Sequence, residues 1–176
     1  MRGASGVRLA SRAVAAVGLV GVGLLHAAWA SGSSWPAKSR AELADATVGS
    51  TSAPPAPVAT ATVAAMATAA GLIVGGALRD RPIAVLARRT AGLALLTRAA
   101  VGGVVAGRAL GLPDPSDRFR RLDARCYRPL CLVLGIGALV GAPADRTRPA
   151  GKGPTWPPIR PDRDGLVPVR PRMLRA

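Results

Sequence analysis

The stretch VATATVAAMATAAGLIVGGAL, Val58 to Leu78, runs for 21 residues without a charge. A helix needs about 20 such residues to cross roughly 30 Å of hydrocarbon. Its apolar positions do not alternate with period two, so a strand is excluded, and an open sheet edge cannot exist in lipid. The stretch therefore reads as a transmembrane helix, and the rest of the chain can be tested against that reading.

Three further tracts flank it. Ala13 to Trp29 is apolar and follows Arg2, Arg8 and Arg12. Thr90 to Leu112 is long enough to span but carries Arg98 and Arg108. Pro129 to Ala142 is short and spans only with Tyr127 and Arg128 anchored at an interface. These readings predict an all-α, four-transmembrane-helix bundle over residues 1–143, with spans at about 11–31, 58–78, 90–112 and 127–143. Between the second and first spans, Pro54, Pro55 and Pro57 mark a loop.

Composition agrees with lipid rather than water as the solvent. Of 176 residues, 49% are hydrophobic, yet there is one Phe, one Tyr and three Trp, too few for an aromatic-anchored soluble core. The mean hydropathy is +0.29 in spite of 24 cations. The net charge of +15 admits a nucleic-acid reading, but the cations lie in blocks between uncharged tracts. They do not interleave with aromatics, so no nucleic-acid partner is expected. Cations around the spans number 15 on the N-terminal side of the membrane and 7 on the other, which predicts a multi-pass cell-membrane protein with both termini cytoplasmic.

Small residues recur at helical spacing: Gly71 with Gly75, Gly137 with Gly141, Gly23 with Ala27, and the ladder Gly103, Gly107, Gly111. Such pairs let helix backbones approach closely, and the ladder is expected to face the bundle. Asp114-Pro115-Ser116-Asp117 is a helix-start signal, after which Phe119, Leu122 and Cys126 share one face. This suits either a short helix at headgroup level, with its arginines near lipid phosphates, or a solvated charged loop. The tail after Ala142 holds 8 of the 16 prolines and 8 cations. Residues 144–176 read as a disordered basic tail able to lie against anionic lipid headgroups.

Chemistry-bearing residues are few. His26 and Trp29 share a helix face, and Trp29 and Trp35 bracket the outer interface. The cluster reads as an aromatic belt with a hydrogen-bonded His, or as a His handling a proton or ligand within the membrane. Arg98 lies about nine residues into the third span, where a charge costs roughly 2.5–3.5 kcal/mol on insertion scales. No acid lies within a span to pair with it, so the expected partners are Thr68 and backbone carbonyls, with His26 nearer the mouth of one polar track. Cys126 and Cys131 lack companion ligands, so no metal and no cofactor is expected. Phosphate loops, nucleophile elbows and paired carboxylates are missing, and whether the chain is an enzyme stays open. The first span has a basic start and an Ala28-Trp29-Ala30 cleavage pattern, yet its apolar core is long for a signal peptide.

The segment His26…Trp29…Gly32…Trp35-Pro36, followed by Phe119-Arg120-Arg121-Leu122-Asp123 and Tyr127-Arg128-Pro129-Leu130-Cys131-Leu132, resembles the domain-of-unknown-function 3995 family. Its members are small bacterial integral membrane proteins with four predicted helices and no assigned activity. The resemblance covers roughly residues 10–143 and implies that the first span is retained. Two function classes follow: a structural or interaction protein, whose partner is a second copy or another membrane protein, and a small-molecule carrier or membrane enzyme using His26 and Arg98. Tyr127 joins the candidate polar residues through the second motif.

Overall fold

The computed structural model describes residues 2–51, 55–78, 81–109, 111 and 114–142. The tail expected to be disordered lies outside the described residues. Within them the chain is all-helical. The helices are α1 (Arg2–Ala30), α2 (Arg40–Val48), α3 (Pro57–Gly75), α4 (Pro82–Ala109), α5 (Asp117–Leu122) and α6 (Arg128–Val140). A π-helical turn, Asp123–Tyr127, joins α5 to α6 without a break, so helix runs from Asp117 to Val140.

The long helices pack through glycine. On α3, Gly71 sits where an added Cβ would lie 2.9 Å from the Val20 amide nitrogen and 3.0 Å from the Ala16 carbonyl oxygen of α1. Gly23 on α1 meets the backbone of Thr68 and Ala64 in the same way. Gly137 on α6 approaches the Ser11 carbonyl oxygen, and Gly18 on α1 receives the Leu134 side chain. An added Cβ at Gly92 on α4 or at Gly135 on α6 would lie 3.0–3.1 Å from the other glycine's carbonyl oxygen, a pairing across helices that no single-helix spacing announces. These contacts make α1 and α3, α1 and α6, and α4 and α6 antiparallel pairs. The four long helical segments thus alternate in direction.

The core between them is small: Ala15, Leu19, Val74, Leu134 and Ala138. Large apolar side chains point away from it, with Val17 at 73%, Met66 at 68% and Leu93 at 58% exposure. Two helices, Ser5–Ala30 and Pro57–Gly75, are long and apolar enough to cross a membrane, and only 17% and 22% of their apolar windows is buried. The other two expected spans depart from an unbroken apolar helix. The third bears Arg98 and Arg108, follows Arg88 and Arg89 in α4, and is interrupted at Gly102 (φ 79, ψ 167). The fourth has a 13-residue α6, extended only by the π-turn and the charged α5.

Three local expectations change. The segment between the first two spans contains α2, which starts with a reciprocal cap: Ser39 Oγ accepts from the Glu42 amide, and Glu42 Oε2 accepts from the Lys38 amide. Gly49, in the left-handed conformation, closes it. The glycine ladder faces inward only in part. Gly103 is buried against Phe119 and Arg98, whereas Gly111 lies beyond α4 with open space around it. Of the α5 face, Phe119 is buried but Cys126 is exposed. The π-turn closes i→i+5 and rotates the residues after Leu122 away from the α-helical register.

Candidate functional site

The Ala30 end of α1, the Pro57 end of α3, the break in α4 and the start of α5 gather at one end of the bundle. There α2 lies across them. Its C-cap carbonyl, Gly49 O, accepts from the Ser116 amide at 2.9 Å, and Ala46 O accepts from Tyr127 Oη at 2.9 Å.

The break at Gly102 organises the first polar cluster. In an unbroken helix the Ala99 carbonyl would accept from the Gly103 amide. Here Ala99 O accepts from Arg128 Nε at 2.7 Å and Ala100 O from Arg128 Nη2 at 3.0 Å. The freed Gly103 amide donates to Asp123 Oδ2 at 2.8 Å. Asp123 Oδ1 receives Arg98 Nη2 at 2.7 Å, closing an ion pair with side-chain exposures of 31% and 6%. Three backbone groups at the break, Ala99 O, Ala100 O and the Gly103 amide, are thus taken up by side chains from the helix opposite, as irregular backbone away from water requires. One donor stays over: Arg98 Nη1 is buried without a hydrogen-bond partner.

This corrects the pairing expected for Arg98. Its partner is Asp123, not Thr68, which instead packs on Gly23. Asp123 sits four residues before the expected span, and the π-turn leaves it only 4% exposed. Arg108, at the far end of α4, makes an exposed ion pair with Asp114 at 2.9 Å, of a kind worth little to stability.

The second cluster is separate. His26 Nδ1 lies 2.8 Å from the Val22 carbonyl oxygen. A carbonyl only accepts, so Nδ1 carries the proton and Nε2 of the neutral ring is left as an acceptor. The His26 and Trp29 rings are 4.7 Å apart, tilted by 55°. Trp29 Nε1 donates to the Trp35 carbonyl oxygen at 2.6 Å. That bond folds the loop after α1 back on the helix, while the side chain of Trp35 is 70% exposed. A cavity of about 200 Å³ opens beside this pair, bounded by α2 and the first turns of α3. Trp29 also borders a second recess of about 300 Å³, which holds Tyr127 and Leu122.

The expected residues thus fall into two places. His26 and Trp29 share the first cavity, and Tyr127 lies across Trp29 from it. Arg98 is tied into the α4 break, and the single polar track expected to join it to His26 gives way to two clusters. Asp123, Arg128 and Gly102 are additions. Asp123 and Arg128 stand inside the motifs quoted above, but the break that employs them has no sequence signal stronger than Gly102-Gly103. Among the described residues no cluster of potential metal ligands occurs.

The model of the family described as "Protein of unknown function (DUF3995)" matches residues 19–138, more than half of the chain, so the chain belongs to that family. No curated protein and no solved structure matches it.

Proposed function

We propose that this DUF3995 member is a four-span cell-membrane protein with both termini cytoplasmic, serving a structural or interaction role rather than a catalytic one. The carrying observation is the inverted distribution of side chains. Alanine, glycine and few large residues fill the interior, while Val17, Leu24, Met66, Leu72, Leu93 and Val133 point outward at 52–73% exposure. A water-soluble monomer rarely exposes contiguous apolar surface beyond a few hundred Å². Lipid is the solvent in which such a surface costs nothing, and small interior residues are how helices associate there.

The alternating helix directions put α4 and the Asp117–Val140 rod in position to complete the second hairpin. The end opposite α2 carries Arg8, Arg12, Arg81, Arg88 and Arg89, as expected of a cytoplasmic face. Two of these also hold α3: Arg12 Nε donates to Val74 O at 3.2 Å and Arg88 Nε to Ile73 O at 2.9 Å, suiting the negative end of that helix. The non-catalytic reading is supported by how the polar groups are employed. Arg98, Asp123, Arg128, Tyr127 and the Trp29 indole all bond within the protein, between elements or from helix to loop. The face formed by α2, the Trp35 loop and α5 is then the part offered to a second copy or another membrane protein.

Washing membranes that contain the full chain with alkaline carbonate tests the placement. The chain is expected to stay entirely in the membrane pellet. Release into the supernatant would contradict it.

A further inference from the structure

The cavity beside His26 has a chemistry of its own, and it does not depend on the structural role proposed above. We infer that it is a binding site for a small aromatic hydroxy acid, with the ring in the apolar cavity, the hydroxyl on His26 and the carboxylate at Arg40.

The walls give the ring. Leu43, Val48, Val63 and Pro55 line a space of about 200 Å³. An apolar cavity of about 150 Å³ takes benzene, so this one has room for a ring with two small substituents. It is too small for a lipid with its chains.

The polar groups give the substituents. Every polar side chain on the inner wall presents an acceptor. In the neutral imidazole His26 Nε2 is an acceptor, because Nδ1 is committed to Val22 O. The Thr60 hydroxyl donates to Ala56 O at 3.1 Å and the Thr47 hydroxyl to Leu43 O at 2.8 Å, which leaves only lone pairs toward the cavity. The Trp29 indole is spent on Trp35 O. A ligand must therefore bring a donor inward, and a hydroxyl does so. Among the described residues no acid lines the cavity and the one charged side chain is the exposed Arg40, whose Nη1 makes a long 3.5 Å bond to Gly32 O. That guanidinium is free to take a carboxylate, while a cationic ligand would be repelled. A ring with a hydroxyl at one side and a carboxylate at another meets all three conditions.

The test uses the purified full chain in detergent and isothermal titration with the three hydroxybenzoate isomers, benzoate and the matching methyl hydroxybenzoates. At least one hydroxybenzoate is expected to bind saturably. Benzoate, which cannot donate to His26, and the ester, which cannot pair with Arg40, are each expected to bind about tenfold more weakly. His26→Phe should erase the difference between that hydroxybenzoate and benzoate when both are measured on the same variant. Arg40→Gln should erase the difference between acid and ester. Ala59→Phe, which fills the cavity from an exposed position on α3, should abolish binding while leaving the helical circular-dichroism signal intact. The inference is overturned if no isomer saturates, if benzoate equals the hydroxybenzoates, or if the folded Ala59→Phe variant binds as the parent does.

Discussion

Replacing Asp123 with alanine is expected to destabilise the bundle by about 3–5 kcal/mol, the usual cost of removing one member of a buried ion pair. Two losses combine. Arg98 keeps its charge with no counter-ion at a side chain only 31% exposed, and the Gly103 amide loses its only acceptor. Arg98 Nη1 is unpartnered even in the parent, so the guanidinium has no second acceptor in place. Unfolding in mixed detergent micelles, followed by circular dichroism, measures the cost. The double variant Arg98→Met with Asp123→Ala should lose clearly less than the sum of the two single changes, because it removes the stranded charge. A single-variant cost below about 1 kcal/mol would mean that the pair behaves as a solvated surface bridge.

Two glycines on one helix give the second large effect. Gly23→Leu drives a side chain into α3, since the Cβ alone would lie 2.8 Å from the Thr68 amide nitrogen and 3.0 Å from the Ala64 carbonyl oxygen. Backbone cannot yield as a flexible side chain does, so the cost is expected to be at least the 1–3 kcal/mol or so of ordinary overpacking. Gly21→Leu, half a turn away, meets nothing within 4 Å. It should be neutral or slightly stabilising, because leucine is a better helix former than glycine by roughly 0.5–1 kcal/mol. The same unfolding assay compares them. Equal tolerance of both changes would mean that α1 and α3 do not approach as closely as described.

The apolar tracts made the long helices readable, because a run such as 58–78 admits little else than helix. The intrahelical glycine pairs were readable too, since Gly71 and Gly137 do meet backbone on a neighbouring helix. The second helix, α2, is legible as well. Ser39 and Glu42 stand at capping-box spacing and Gly49 at the C-cap, in a segment with only a weak apolar pattern. What composition and period cannot carry is pairing between helices and departure from the α register. Gly92 and Gly135 are unremarkable on their own strands of sequence and become a contact only when α4 meets α6. The partner of Arg98 was hidden for the second reason. Counted in α-helical steps, Asp123 falls in a charged segment ahead of the span, and only the π-turn and the Gly102 break bring it onto the Arg98 guanidinium. For the candidate site, the shared face of His26 and Trp29 followed from their spacing. The roles of the two tryptophans in the loop did not, because Trp35 contributes a carbonyl rather than its indole.

The proposed membrane topology is tested most directly by cysteine accessibility in intact cells. In a Cys126→Ser, Cys131→Ala background, a single cysteine is placed at Ala41, exposed on α2, or at Gly6, exposed near the start of α1 with nothing within 4 Å. A membrane-impermeant maleimide should label the Ala41→Cys chain from outside and leave the Gly6→Cys chain unlabelled until the cells are opened. Labelling of Gly6→Cys in intact cells, with Ala41→Cys protected, would invert the protein in the membrane, and labelling of neither or both in intact cells would contradict a bundle that spans it.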